Sequence, residues 1–163
     1  MTVARPAATA ALLQVDAILT RLAGRAALAE VCRFLQASFA HYRWVGIYRV
    51  EGRELALDAY AGDEATEHTR IPIDTGLCGR AVRDAATVVV DDVSSSPEYL
   101  ACFLSTRSEI VVPILQDGHP VGEIDIDSDR LAAFDASDRR LLEEVAARLP
   151  SAVSAAAGAP PPA

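Results

Sequence analysis

The spacing of apolar residues divides the chain into helical ends and a strand-rich middle. At both ends apolar residues recur every three or four positions, which is typical of amphipathic helices. In the middle they alternate with polar residues or form short apolar runs, which is typical of strands. The pattern predicts helices within 7–24, 28–39 and 137–149, and strands at 44–50, 54–60, 87–90, 109–115 and 121–127.

The order of these elements predicts an α+β fold. It consists of one antiparallel sheet of five or six strands, with the N- and C-terminal helices packed on one face. Residues 61–75 are polar and loop-like, and a short helix is expected at 76–82. Residues 91–107 show no period, and a connection of this length in a compact domain is usually functional or disordered. We expect this loop to cover a pocket on the other face of the sheet.

The length of 163 residues fits one domain. We expect a frayed N-terminus at 1–6 and a single domain at 7–149. Residues 150–163 form a low-complexity segment rich in Ala and Pro, which predicts a disordered tail.

Charge and cysteine content restrict the function classes. The net charge of −8 provides no basic surface for nucleic acid, so a nucleic-acid partner is not expected. No apolar run approaches the roughly 20 residues of a membrane span, so no membrane partner is expected either. Three cysteines without a clear signal peptide indicate a reducing compartment and a cytoplasmic location.

The hairpin at 109–127 can be predicted in more detail. Ile110 and Ile124 both belong in the core, so they must lie on the same side of the sheet. A three-residue loop with Gly118 in the left-handed conformation satisfies this by pairing Leu115 with His119. In this register Ile110 lies beside Ile124, and Glu109 lies opposite Asp125.

The same register gathers carboxylates on the face away from the helices. Glu109, Asp125 and Asp127 converge there, with Glu123 nearby. A solvated sheet face would explain them, but like charges opposite each other across strands are unfavourable unless a cation or a shared proton compensates. The acids could hold a substrate ammonium group, hold a divalent metal or keep one carboxyl group protonated. No His at ligand spacing joins them, so neither a transition metal nor a cofactor is expected.

The three cysteines differ in their surroundings. Cys32 lies on the apolar stripe of the second helix, where a buried core role is expected. Cys78 and Cys102 lie in loop or loop-to-helix settings. Arg80 and the helix start near Cys78 could lower the pKa of its thiol. The residues alone leave open whether either thiol is reactive.

Four segments together resemble one known family, the free methionine-(R)-sulfoxide reductases, which are built on a GAF domain. The similarity covers roughly residues 40–148, and the order and spacing of the segments are more specific than any one of them. The matching segments are Trp44-Val45-Gly46-Ile47-Tyr48, Gly76-Leu77-Cys78-Gly79, Asp92-Val93 with Pro97 and Cys102, and the strands Ser108–Pro113 and Asp125–Ser128.

The resemblance implies reduction of free methionine (R)-sulfoxide by a cysteine thiolate. It implies that Cys102 is the nucleophile and becomes a sulfenic acid. It also implies that Cys78 closes a disulfide with Cys102, which thioredoxin or a similar dithiol then reduces. The implied substrate-binding residues are the carboxylates Glu109, Asp125 and Asp127, together with Trp44 and Tyr48 against the substrate methyl group.

The sequence departs from this family at two places near the nucleophile. His68 stands where the family usually has a third cysteine, and Phe103 stands where the residue after the nucleophile is usually Asp. Two alternatives remain open at this stage. One is a non-catalytic GAF domain that binds a small ligand or senses redox state. The other is a dimerisation module, because the Ala-rich helices could pair in a homodimer.

Overall fold

The computed structural model describes residues 2–158, in which the predicted helices and strands follow one another in the predicted order. None of the helices in this part of the chain is both long and apolar enough to cross a membrane. The helices are α1 (Arg5–Arg21), α2 (Gly24–Ser38), α3 (Gly76–Asp84), α4 (Ala136–Ala146) and α5 (Pro150–Ala156). The strands are β1 (Trp44–Glu51), β2 (Glu54–Ala61), β3 (Arg70–Pro72), β4 (Val88–Val90), β5 (Ser108–Gln116) and β6 (His119–Ser128).

The six strands form one sheet in the order β3-β2-β1-β6-β5-β4. Every neighbouring pair is antiparallel. The predicted α+β class and the predicted five or six strands are confirmed. Strand β3 was not predicted, because its three residues contribute only Ile71 to a core and lie at the edge of the sheet.

The helices α1, α2, α4 and α5 cover one face of the sheet and form the main core with it. Alternate residues of the central strands point into this core, as the period-two pattern requires. They are Val45 and Ile47 of β1, Ile110, Val112 and Ile114 of β5, and Ile124 and Ile126 of β6. Cys32 is buried among them, and burial raises the pKa of its thiol.

The opposite face of the sheet, called the site face below, is covered by α3 and by loop residues on both sides of Cys102. A second apolar cluster lies there, with Trp44 and Tyr48 of β1, Val111 of β5 and Phe103 of the loop. This arrangement confirms the predicted division between a helix face and a loop-covered face.

The predicted register of the β5–β6 hairpin is wrong by two residues. The loop has two residues, Asp117 and Gly118, which both adopt positive φ angles, and Gln116 pairs with His119. An irregularity next to Ile114 then places one extra residue in β6, so that Ile114 pairs with Gly122. The result is that Glu109 lies opposite Asp127 instead of Asp125, and Ile110 lies opposite Ile126. The extra residue of the bulge shifts the alternation of side chains as the extra residue of the predicted loop would have done. Each side chain of the hairpin named above therefore lies on the predicted face of the sheet.

Both ends of the described chain are more ordered than the composition suggests. Helix α1 begins at Arg5, and Val3 is buried, with its N–H donating to Ser137 Oγ at 2.7 Å. The predicted disorder from residue 150 is also wrong, because α5 packs against α2. Pro150 suits the first turn of a helix, and Ala and Val supply its buried side. The predictions for residues 1 and 159–163 lie outside the described residues.

Candidate functional site

Four carboxylates lie side by side on the site face. Glu123, Asp125 and Asp127 alternate along β6, and Glu109 lies on β5 directly opposite Asp127. All four are at most 5 % exposed. Among residues 2–158, neither oxygen of Glu123 or Asp125 has a hydrogen-bond partner. The structure therefore brings together the three predicted acids and Glu123, which was expected nearby and is equally buried.

Burial raises the pKa of every one of these carboxyl groups. The pKa of Glu109 and that of Asp127 lie well above the usual values, because desolvation is reinforced by the charge of Asp125. Desolvation also raises the pKa of Glu123 to about 8. It raises the pKa of Asp125 only to about 6, because the interactions with Glu109 and Cys78 favour its charged form. At neutral pH the site thus combines a protonated Glu123 with an ionised Asp125, and the protonated forms of Glu109 and Asp127 are favoured.

The two predicted thiols lie at the same cavity. Cys78 is buried in the first turn of α3, and Cys102 is half-buried in the loop before β5. With Glu109 they line a cavity of about 10 Å³, close to the minimum that a single water molecule needs. Gly76, at φ +72°, begins α3 where a Cβ atom would lie 3.2 Å from the Leu100 side chain, so the loop closes tightly over this cavity.

Neither thiol is activated in this closed arrangement. Burial and the charge of Asp125 raise the pKa of Cys78 well above its usual value, so the expected lowering by Arg80 and the helix start is wrong. Burial and the charges of Asp125 and Asp127 raise the pKa of Cys102 to about 12. A thiolate at either position requires that these negative charges be compensated.

Aromatic side chains form the other side of the site. The Trp44 indole packs against Phe103, with ring centroids 5.5 Å apart, and lies over Gly46, where a Cβ atom would be 2.2 Å from the ring. Trp44, Phe103 and Asp127 line a second cavity of about 10 Å³. Because Asp127 pairs with Glu109, the two cavities are neighbours. Tyr48 is fully buried on the same face of β1.

His68 connects the strand side of the site to the loop that carries Cys102. Its backbone carbonyl accepts a hydrogen bond of 2.8 Å from the Tyr48 hydroxyl. Its Nε2 donates to the carbonyl oxygen of Ala101, at 3.0 Å, directly before Cys102. His68 is thus a structural contact of the Cys102 loop.

Two polar residues at the site were not predicted. The Thr66 side chain interacts with the Cys102 thiol and counteracts the rise of its pKa. Thr106 does the same for the Asp127 carboxyl group, counteracting the rise of its pKa. Both threonines come from loop segments without periodicity, so nothing in the sequence pattern identifies them. Glu123, which the sequence placed near the other acids, continues the alternation of Asp125 and Asp127 along one strand.

Comparisons with known proteins agree with this geometry. The sequence model of the GAF domain family matches residues 23–154. The structure of the free methionine-R-sulfoxide reductase from Neisseria meningitidis in complex with its substrate superposes with a TM-score of 0.85. It is 36 % identical to this chain, and the match covers 96 % of both chains. This chain belongs to the GAF domain family and, within it, to the free methionine-R-sulfoxide reductases.

Two other members of the reductase family show similar agreement. The type II free methionine-R-sulfoxide reductase from Thermoplasma acidophilum is 44 % identical, with a TM-score of 0.77, and the match covers 79 % of this chain and 91 % of that chain. The free methionine-R-sulfoxide reductase of Escherichia coli (strain K12) is 32 % identical over 124 residues, which are 76 % of this chain and 74 % of the relative. The family and fold expected from the motifs are therefore confirmed.

Proposed function

We propose that this chain reduces free methionine (R)-sulfoxide to methionine, with Cys102 as the nucleophile. The observation that carries the proposal is the placement of two thiols against buried carboxylates on the site face, in a chain related to reductases of this activity. A solvated sheet face would not leave Asp125 and Glu123 buried without hydrogen-bond partners among residues 2–158.

In the first step the Cys102 thiolate attacks the sulfoxide sulfur. The sulfoxide oxygen takes up a proton and ends on Cys102 as a sulfenic acid, while methionine leaves with a reduced thioether. Glu109 and Asp127 are suited to supply that proton, because burial and the charge of Asp125 raise the pKa of both groups well above the usual value and so favour their protonated forms.

Asp125 has the complementary role. It retains a charge at neutral pH, since its pKa is about 6, and it is therefore the carboxylate that binds the substrate ammonium group. The incoming ammonium compensates the negative charges that keep Cys102 protonated, so substrate binding itself favours the thiolate. Trp44 and Tyr48 provide the apolar surface for the substrate methyl group.

Substrate entry requires the loop around Cys102 to move. The cavities beside the carboxylates hold about 10 Å³ each, which is far too little for an amino acid. The mobile part would be the segment between β4 and β5, which carries Leu100 and Phe103 and which His68 attaches to the rest of the site.

In the second step Cys78 attacks the Cys102 sulfenic acid. A disulfide forms, water leaves, and two electrons from thioredoxin or a similar dithiol restore both thiols. Both cysteines line one cavity, so a loop movement can bring their sulfur atoms together. This cycle requires the reducing conditions of the cytoplasm, which we propose as the location.

The test is an assay of methionine formation from free methionine (R)-sulfoxide with dithiothreitol as reductant. Activity is expected for the natural chain, with loss of nearly all of it in Cys102→Ser. The matched control is Cys32→Ala, which removes a thiol from the helix-face core and should retain activity. Absence of turnover in the folded natural chain, or full activity of Cys102→Ser, would overturn the proposal.

A further inference from the structure

Three groups with metal-binding atoms come together where α3 packs on the site face. The Cys78 sulfur, a Glu109 oxygen and an Asp125 oxygen all lie within 4.8 Å of one another, and all three side chains are buried. They come from α3, β5 and β6, so the packing of a helix on two strands fixes their separation. The expected absence of a metal rested on the lack of histidines near the acids, but Cys78 supplies a ligand atom beside them instead.

Among the described residues, the interactions that favour the charged form of Asp125 come only from Glu109 and Cys78, the other two members of the cluster. Both oxygens of Asp125 lack hydrogen-bond partners among residues 2–158, although its side chain is 1 % exposed. Within the same residues neither Glu109 nor Asp125 forms an ion pair. Buried carboxylates normally have a partner. In this closed pocket, the cavity of about 10 Å³ beside Cys78 and Glu109 has room for an ion and not for an amino acid.

We propose that Cys78, Glu109 and Asp125 form a zinc-binding site, and that zinc bound there inhibits the reductase. Binding replaces the thiol proton of Cys78 and the proton of Glu109 with bonds to the metal, and both protons leave to solvent. Water takes the fourth position. The inhibition rests on the proposed function, because zinc then occupies the carboxylate that binds the substrate ammonium group and the thiol that resolves the sulfenic acid.

The chemical nature of the three ligand atoms determines which metal ion the site favours. One thiolate and two carboxylates suit Zn²⁺, which accepts sulfur and oxygen ligands in tetrahedral geometry. Mg²⁺ and Ca²⁺ require six or more oxygen ligands and do not favour sulfur. Tetrahedral bonds of about 2.0 to 2.3 Å place neighbouring ligand atoms about 3.3 to 3.8 Å apart. Small side-chain shifts from the observed separations, all within 4.8 Å, therefore complete the site.

The test measures metal binding directly, with the full chain kept reduced by a phosphine. Zn²⁺ affinity is measured by competition with a chromophoric chelator, and Co²⁺ is added separately to detect thiolate-to-metal absorption in the near ultraviolet. The natural chain should bind one Zn²⁺, show the Co²⁺ band and ignore Mg²⁺. Cys78→Ser should lose the band, and both Cys78→Ser and Asp125→Asn should weaken zinc binding on the order of 100-fold.

Cys102→Ser separates this proposal from the proposed function. Cys102 is not one of the three ligands, so its replacement should abolish turnover and leave zinc affinity and the Co²⁺ band unchanged. Thiolate-dependent zinc binding in a chain without reductase activity would support the site and overturn the proposed function. Failure of the natural chain to bind zinc, or unchanged binding in both folded ligand variants, would overturn the site.

Discussion

Replacement of Glu123 by Gln should stabilise the protein at alkaline pH, although the substitution introduces no new contact. Glu123 is fully buried, and desolvation raises the pKa of its carboxyl group from 4.5 to about 8. A carboxyl group with a raised pKa contributes stability while it is protonated, and that contribution is lost as the pH rises through the folded-state value. The natural chain should therefore be less stable at pH 8.5 than at pH 5.

The magnitude follows from the same two pKa values. Linkage between 4.5 and about 8 gives a change on the order of 4 kcal/mol in the free energy of unfolding between pH 5 and pH 8.5. Glu123→Gln lacks this titration. A buried amide without partners costs about 1 to 3 kcal/mol, but that cost is the same at both pH values. Subtracting the effect of Glu123→Gln on the free energy of unfolding at pH 5 from its effect at pH 8.5 therefore gives the contribution of the Glu123 charge alone.

The assay is urea unfolding at pH 5 and pH 8.5 in buffers that contain a chelator. The effect of Glu123→Gln on the free energy of unfolding should change by about 4 kcal/mol between the two pH values, in favour of the variant at pH 8.5. In a thermal scan the relative change in Tm should be on the order of 10 °C. The matched control is Glu67→Gln at an exposed position, which should show no such pH dependence. Equal effects of Glu123→Gln at both pH values would refute the burial argument.

The carboxylates and thiols of the site lead to four further expectations. Asp125→Asn removes a negative charge that faces Cys102, so alkylation of Cys102 by iodoacetamide at pH 8 should become up to about tenfold faster while turnover falls. An unchanged alkylation rate, followed by peptide mass spectrometry, would contradict the charge effect. Mass spectrometry after one turnover without reductant should find a Cys78–Cys102 peptide, and finding Cys102 only as an adduct with external thiol would exclude Cys78 as the resolving cysteine. Asp127→Asn should lower activity strongly without unfolding the chain, and N-acetyl-methionine sulfoxide should react slower by several orders of magnitude. Equal rates on the acetylated and free substrates would contradict the proposal that a site carboxylate binds the substrate ammonium group.

The face on which each central residue lies could be predicted from sequence, but the partners across the strands could not. Ile110 and Ile124 had to lie on the helix side, and this alternation also placed Glu109 and Asp125 together on the other side. A three-residue loop and a two-residue loop with a bulge both satisfy that requirement. The apolar pattern does not distinguish them, so the predicted partner of Glu109 was wrong.

The short distance between Cys78 and the acids could not be predicted from the sequence pattern either. It depends on how α3 packs over β5 and β6, which are distant from it in sequence. The contact of His68 with Ala101 joins two loops without periodicity, so no local signal predicts it. Helix α5 was not predicted because a segment rich in Ala and Pro is typical of disorder. In the structure, burial against α2 stabilises this segment as a helix.

The pairing of β1 with β6 has a consequence for how the chain folds. It joins a half built from β1, β2 and β3 to a half built from β4, β5 and β6, each of which can form from neighbouring hairpins. Contacts between residues distant in sequence carry a larger loop-closure entropy, so we expect β1 and β6 to pair late in folding. This late docking places β1 beside the strand that carries Asp125 and Asp127 and helps to remove both from water. Protonation of these carboxyl groups before docking should therefore accelerate refolding, so we expect the residues proposed for chemistry to influence the rate at which the sheet assembles.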